Sequence, residues 1–328
     1  MTLSFSTASS GCTGRARSQL ACPHFGIAAL RVQVDSRRIC ARKLKQGGVR
    51  LRVTSQRGNA DAPLTATVVG GGLGGLALAI ALRREGVDAR VYERALELRS
   101  NAGTGIVLWP NGIKALRGIA PELADAAIDA GCVIKGIGFG KASAPDTFKE
   151  KVVGAGMKVA GGLMARSMEW KYGAPMVAIR WSALQQVLSS FLPPDCIELD
   201  ANFKGYQVLP EGAGVRTDFC RRDGAPLPAV TTDVLVGADG LRSAVRAQML
   251  GDSPPRDGGR VLWRAVVDGA CLPQRQSLCP ASGTRLLIGE GRTASFMDVG
   301  SGQVYWAAGA LDGTFDADPS LVRRPACP

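Results

Sequence analysis

An uncharged stretch of eighteen residues, Thr65 to Leu82, combines two hydrophobic patterns. It is just long enough to cross a membrane as one helix, but five glycines at its centre argue against that reading. The β-branched run Thr65–Val69 predicts a short strand, and apolar residues at helical spacing from Leu73 to Ala81 predict a helix that stops near Gly86. Ala89–Tyr92 predicts a second strand, so the segment has the order and size of a βαβ unit.

Further patterned segments follow this unit, although residues 132–180 fit neither a helix nor a strand clearly. Asn111 and Ser182 each precede a helical pattern and are predicted to cap a helix. The other predicted elements are helices over Pro121–Ala130 and Ser243–Leu250 and strands over 202–209, 215–220 and Val234–Val236.

Strand-like segments dominate the chain after the Pro- and Gly-rich stretch Ser253–Gly259. They are Val261–Val267, Arg285–Ile288, Ala294–Asp298 and Val304–Ala308. Their order, with glycine-containing turns between the last three, predicts an antiparallel β-meander in a second, sheet-rich domain or layer.

The formal net charge of +12 is distributed unevenly. Residues 1–60 contain eleven Lys and Arg but one acid, Asp35, which gives this segment +10 and leaves +2 for residues 61–328. The body of the protein therefore has no charge excess that would attract nucleic acid or anionic lipid. We expect no nucleic-acid partner.

The basic segment has the composition of an organellar transit peptide, since it is rich in Ser, Thr and Arg and lacks the continuous apolar core of a secretory signal. Its opening favours a chloroplast over a mitochondrion. A disordered basic tail or a wrongly assigned start codon is the alternative.

Cysteine and histidine usage excludes several classes of site. The nine cysteines include no CxxC pair, so neither a zinc site nor a disulfide framework is predicted. The single histidine, His24, lies in the basic leader. Residues 61–328 therefore contain no Ser-His or Cys-His pair and no histidine metal site.

The glycines of the βαβ unit have the spacing of a dinucleotide fingerprint, Gly70-x-Gly72-x-x-Gly75, with Gly74 inside it. Gly70 permits a tight turn, Gly72 permits a pyrophosphate to approach the backbone, and Gly75 permits close packing of helix on strand. Glu93 ends the second strand, where a carboxylate can accept hydrogen bonds from ribose hydroxyls. It favours FAD or NAD over a 2′-phosphorylated cofactor.

Three further segments carry a family resemblance. Asp233–Arg246 contains the run Gly-Ala-Asp-Gly after a buried strand, and it resembles the Asp-Gly motif of the single-component flavoprotein monooxygenases, the aromatic-hydroxylase family that includes salicylate hydroxylase and zeaxanthin epoxidase. Gly103–Leu116 resembles the stretch after that family's βαβ unit, and Arg180–Leu188 resembles its arginine-led helix. With the fingerprint, the matched segments cover most of residues 65–250.

The resemblance implies an α/β fold, with a Rossmann-like FAD-binding βαβ domain and an interleaved antiparallel β-sheet substrate domain. It implies an FAD-dependent monooxygenase that inserts one oxygen atom from O2 into a small hydrophobic aromatic or isoprenoid substrate, with NADPH or reduced ferredoxin as electron donor. Asp239 and Gly240 would lie near the FAD pyrophosphate and the path of the nicotinamide donor, and Arg180 would contact the cofactor.

The predicted organisation and cofactor site follow from these motifs. The domains are a leader (1–60), an FAD-binding domain (61–131 and 176–252), a substrate domain (132–175 and 253–315) and an irregular tail (316–328). The candidate cofactor-binding residues are Gly70, Gly72, Gly74, Gly75, Glu93, Arg94, Arg180, Asp239 and Gly240.

One family motif has no counterpart in the sequence. Nothing after Ala310 resembles the later Gly-Asp segment that sits beside the flavin in the family, so we expect an incomplete chain. A non-catalytic FAD- or nucleotide-binding remnant is therefore the alternative function. A flavoprotein reductase is disfavoured because no second GxGxxG is present. No candidate for a catalytic residue follows from the sequence, and peripheral contact with a membrane stays open.

Overall fold

The computed structural model describes residues 42–43, 49–50, 63–98, 104–141, 162–163, 165–251, 254–272, 279, 282–289 and 291–311. Most of the predicted leader and the whole predicted tail lie outside these residues. Within the segment before residue 61, two short strands, β1 (Arg42–Lys43) and β2 (Val49–Arg50), pair antiparallel.

The remaining elements belong to the segment after residue 60. The helices are α1 (Leu73–Arg84), α2 (Pro110–Ile119), α3 (Pro121–Asp129), α4 (165–172), α5 (Trp181–Ser190) and α6 (Ala244–Leu250). The strands are β3 (Thr65–Val69), β4 (Asp88–Tyr92), β5 (Gly105–Leu108), β6 (Cys132–Val133), β7 (Gly136–Lys141), β8 (Val177–Arg180), β9 (Ile197–Glu198), β10 (Asn202–Val208), β11 (Val215–Cys220), β12 (Val230–Thr232), β13 (Val234–Gly237), β14 (Arg260–Asp268), β15 (Gly283–Gly289), β16 (Arg292–Asp298) and β17 (Gln303–Leu311).

The predicted βαβ unit is confirmed. A four-stranded sheet has the order β13-β3-β4-β9, and every neighbouring pair is parallel. Parallel strands end at the same edge of a sheet, so the chain segments that follow β3, β4 and β13 meet there.

Side-chain alternation along β3 and β4 divides the core into two layers. Ala66 and Val68 pack under α1, α2, α3 and α5, in a cluster built around Leu76, Leu123 and Leu188. On the opposite face, residues of a second sheet, β10-β11-β12, cover the ends of the strands. The parallel sheet thus lies between a helical layer and an antiparallel sheet.

One contact links the parallel sheet directly to the antiparallel sheet. The Tyr92 ring stacks on Phe219 of β11, with centroids 4.4 Å apart and planes 14° apart. Because Tyr92 is the last residue of β4, this contact lies beside the edge of the sheet at which the strands end.

A five-stranded sheet has the order β14-β17-β16-β15-β7, and a separate three-stranded antiparallel sheet has the order β5-β8-β6. The predicted meander is correct for β15, β16 and β17. Its first strand was misplaced, because β14 pairs along its whole length with β17 and not with the next strand in sequence. The segment with no clear prediction supplies β7, which pairs parallel with β15 and makes the sheet mixed.

The two predicted helix caps, Asn111 and Ser182, were wrong. Helix α2 begins at Pro110, so its N-cap is Trp109, two residues before Asn111. Pro110 suits the first position because its φ is fixed and it has no N–H that needs an acceptor. Ser182 is 2% exposed and lies inside α5, whose N-cap is Arg180. Ser243, which was predicted to begin a helix, is instead the N-cap of α6 and accepts a hydrogen bond from the Arg246 N–H at 2.9 Å.

The helical layer yields a stability prediction. Leu76 has an exposed fraction of 0% in the centre of the main core, whereas Leu250 at the end of α6 is 58% exposed. We expect Leu76→Ala to lower the free energy of unfolding by about 2–5 kcal/mol because it leaves a cavity. Leu250→Ala should lower it by less than about 1 kcal/mol. Equal losses in urea unfolding would contradict the packing described above.

Candidate nucleotide-binding site

Gly70 makes the turn that leads out of β3. Its N–H donates to the Tyr92 carbonyl at 2.8 Å, and its φ of +111° is one that glycine adopts without strain. A Cβ at this position would lie 2.5 Å from the Ala238 carbonyl oxygen, so any side chain would force β13 away. The turn is therefore closed on both sides by neighbouring strands.

The other glycines of the fingerprint divide into closed and open positions. A Cβ on Gly75 would lie 2.0 Å from the Gly70 carbonyl oxygen, which means that α1 packs directly on the turn. Apart from chain neighbours and the backbone of α1 itself, no atom of the described residues would lie within 4 Å of a Cβ added at Gly72 or Gly74. Gly72 is the N-cap of α1, and no side chain caps the helix there. The first-turn amides of α1 are thus open to an anionic ligand.

Glu93 fixes the turn from the end of β4. Its Oε2 accepts a hydrogen bond from the Gly71 N–H at 2.6 Å, and its Oε1 accepts one from the Ala95 N–H at 3.0 Å. This carboxylate was expected to bind a ribose, and in the structure it anchors the protein's own backbone.

Gln185 holds the same loop from α5 and was not predicted to do so. Its Nε2 donates to the Gly71 carbonyl at 2.7 Å, and the residue is 4% exposed. The signal in the sequence was a polar residue on the buried face of a helix, next to Leu184 and three residues before Leu188. Such a residue must find a hydrogen-bond partner when it is buried.

The Asp-Gly segment forms the facing wall. The Ala238 N–H donates to the Val69 carbonyl at 2.8 Å, which extends the pairing of β13 with β3. Asp239 then accepts hydrogen bonds at Oδ2 from the Ala244 and Val245 amides at 2.7 and 3.2 Å and so caps α6. Its Oδ1 is buried and has no partner among the residues that the structure describes.

These elements enclose a cavity of about 290 Å³. Six predicted site residues line it, namely Gly70, Gly72, Glu93, Arg94, Asp239 and Gly240. Gly74, Gly75 and Arg180 do not. Arg180 instead donates from Nη1 to Gln303 of β17 at 3.3 Å, so the structure gives no direct support to its predicted cofactor contact.

The walls of the cavity carry charges of both signs and three aromatic rings. The acidic residues are Glu93, Glu97 and Asp239, and the basic residues are Arg94 and Arg242. The rings are those of Tyr92, Trp181 and Phe203. Burial raises the pKa of Tyr92 above its usual value. No group of residues suited to holding a metal ion occurs in the described ranges.

Adjacent glycines of the fingerprint provide a matched test of the turn. Gly75→Ala should cost more than about 2 kcal/mol of unfolding free energy, because its Cβ has no space. Gly74→Ala, one position earlier on the open side of α1, should gain about 0.5–1 kcal/mol because alanine favours the helix. Thermal unfolding of both variants measures these changes in stability. If Gly75→Ala is as stable as the unaltered chain, α1 does not pack closely on the turn.

Comparison with known proteins places this geometry among the flavin enzymes. A family model described as an NAD(P)-binding Rossmann-like domain matches residues 68–115. Aurachin C monooxygenase/isomerase of Stigmatella aurantiaca is 35% identical over 247 residues, which make up 75% of this chain and 57% of that protein. The chloroplastic zeaxanthin epoxidase of Capsicum annuum is 26% identical over 77% of this chain and 36% of its own length.

A solved structure shares the fold. Klebsiella pneumoniae HpxO complexed with FAD and uric acid matches with a TM-score of 0.60 at 22% identity, over 79% of this chain and 59% of that one. The chain thus spans little more than half the length of the aurachin C enzyme and of HpxO. Over that span, its sequence and its fold make it a relative of the FAD-dependent monooxygenases.

Proposed function

We propose that the chain binds FAD and serves in a monooxygenase reaction, in which one oxygen atom of O2 enters a small hydrophobic aromatic or isoprenoid molecule. NADPH or reduced ferredoxin is the proposed electron donor. The observation that carries the proposal is the open Gly72 turn at the uncapped start of α1, with Glu93 on one side and Asp239 on the other.

The turn suits a pyrophosphate for physical reasons. Gly72 presents bare backbone to the cavity, and the helix dipole of α1 places partial positive charge at the same point. A cavity of about 290 Å³ is at the lower end of the range for small-molecule sites, so it suits the adenosine and pyrophosphate half of FAD better than the whole molecule.

Glu93 keeps capacity for a ribose. Each of its oxygens accepts one backbone hydrogen bond, and an ionised carboxylate offers about four acceptor positions. The two backbone bonds hold the carboxylate in place, so ribose hydroxyls would meet an acceptor that is already oriented. Arg94 lies next to it on the cavity wall and supplies a positive charge for the phosphates.

When bound, FAD supplies the redox chemistry, which amino-acid side chains lack. The chain's own residues bind and orient it. Residues 61–328 contain no histidine, so proton transfer by histidine is not part of the proposal. Tyr92 lines the same cavity, and burial raises the pKa of its phenol, which favours the neutral form.

The proposed FAD-binding and substrate-binding domains contain different sheets. Residues 61–131 and 176–252, which contain the parallel sheet and the cavity, would form the FAD-binding domain, and residues 132–175 and 253–315, which contain the five-stranded sheet, would bind substrate. In that sheet, Leu262 and Trp263 are exposed apolar side chains of β14. Such side chains suit a hydrophobic substrate.

Nucleotide binding without turnover is the second candidate. It is favoured by the small cavity. We also propose a chloroplast location, which is supported by the composition of residues 1–60 and by the chloroplastic relative from Capsicum annuum. Peripheral contact with a membrane is part of the proposal, and none of the described helices is long and apolar enough to span one.

Titration of the full chain with FAD tests the proposal. We expect saturable binding, monitored by flavin fluorescence, and NADPH consumption that depends on added FAD. Glu93→Gln should raise the Kd by about tenfold, because an amide has one acceptor oxygen and must turn an NH2 group toward the Gly71 or Ala95 amide. Glu169→Gln, at an exposed position of α4, is the matched control and should bind as the unaltered chain does.

The outcomes separate the two candidates. FAD binding without oxidation of either NADPH or reduced ferredoxin would favour the non-catalytic candidate. If the unaltered chain does not bind FAD, the proposed function is wrong. If Glu93→Gln binds normally, the assignment of Glu93 to the ribose is wrong.

A further inference from the structure

Gln185 makes a contact that the cofactor-binding motif does not explain. It lies on α5, is 4% exposed and donates from Nε2 to the Gly71 carbonyl at 2.7 Å. The two residues are 114 positions apart in the sequence. A carbonyl oxygen only accepts hydrogen bonds, so the atom facing it must be the amide nitrogen. The contact therefore has one direction: α5 holds the oxygen of the glycine loop.

The held carbonyl belongs to the peptide unit that joins Gly71 to Gly72. In a planar trans peptide, the C=O and the N–H point in opposite directions. Fixing the Gly71 oxygen against Gln185 therefore turns the Gly72 N–H away from that side chain. Within the described part of the chain, that N–H donates to no protein acceptor, and Gly72 lines the cavity.

Glycines on both sides leave this peptide free to rotate if nothing holds it. Without a Cβ, Gly71 and Gly72 populate positive and negative φ alike, so the unit could flip and present its carbonyl to the cavity. The Glu93 carboxylate holds only the preceding peptide unit, through the Gly71 N–H. Gln185 is the side chain that sets the orientation of the second unit.

We propose that Gln185 is a positioning residue of the anion site, which holds the Gly71–Gly72 peptide so that the Gly72 N–H donates to a phosphate of the bound dinucleotide. The proposal rests on the proposed function, since it assumes that FAD binds in this cavity. Loss of the Gln185 contact would present an acceptor, the carbonyl, to an anion. FAD affinity would fall although Gln185 need not touch the cofactor.

Substitution by glutamate distinguishes positioning from space filling. A protonated carboxyl can donate to the Gly71 carbonyl, whereas a carboxylate cannot and would repel it. Burial raises the pKa of a carboxyl, so the introduced acid should protonate as the pH falls toward about 5.5. The charged groups already facing the cavity are Glu93, Glu97, Asp239, Arg94 and Arg242. The unaltered chain contains the same charged groups, so its FAD affinity at each pH is the reference against which the variants are compared.

The experiment measures FAD affinity of the full chain by flavin fluorescence at about pH 8 and about pH 5.5. Gln185→Met, which removes the donor at similar volume, should raise the Kd by about tenfold or more at both pH values. Gln185→Glu should bind as weakly at the higher pH and recover most of its affinity at the lower one. Gln186→Met and Gln186→Glu, at the exposed neighbouring position, should bind as the unaltered chain does.

Four results would overturn the inference. If the unaltered chain does not bind FAD, the proposed function fails and the inference with it. If that chain binds and both Gln185 variants match it, the inference alone fails. If Gln185→Glu stays weak at both pH values, Gln185 fills space and does not donate. If Gln185→Met unfolds, the FAD affinities of Gln185→Glu at the two pH values still test the inference. If both variants unfold, Gln185 is a core residue and the inference fails.

Discussion

The hydrogen bond from the Gly71 N–H to Glu93, at 2.6 Å, is the interaction on which the candidate site depends. It joins the turn after β3 to the end of β4, and it exists because the two strands pair parallel with Val69 opposite Tyr92. The next backbone bond, from the Gly70 N–H to the Tyr92 carbonyl, continues that register into the turn. The shape of the site is therefore a consequence of strand pairing.

Both faces of the sheet maintain this register. Since side chains alternate along a strand, a slip of one residue would place Val68 on the antiparallel sheet and Val69 under the helices, with every neighbour displaced. At the opposite edge, Asp233 accepts hydrogen bonds from the Thr65 amide and hydroxyl at 2.8 and 2.7 Å, which ties β13 to the start of β3. The turn is thus stabilised by packing well outside the cavity.

Local sequence predicted the parts of the site that local chemistry determines. Gly70 and Gly75 had to be glycine because a Cβ has no room there. Their spacing, between a β-branched run and a helical apolar pattern, indicated a strand, a turn and a helix. The Asp239–Gly240 segment was expected to lie near the cofactor from a family resemblance, and in the structure it lines the same cavity as Glu93.

Contacts between distant segments could not be predicted. Gln185 meets Gly71 across 114 residues, and Arg180 meets Gln303 across 123. No pattern within one helix reveals such a partner. The same limit applies to β14, whose apolar residues indicated a strand but gave no sign that its partner would be the last strand described and not the next.

The central claim is that the Gly70–Gly75 turn receives the pyrophosphate of FAD. Hydrogen–deuterium exchange of the full chain, with and without saturating FAD, tests it most directly, because amides that donate to a ligand exchange more slowly. The account predicts added protection in residues 70–76 and 239–245, with β15 and β16 unchanged. Protection confined to residues 283–311, with the glycine turn exchanging as before, would contradict it.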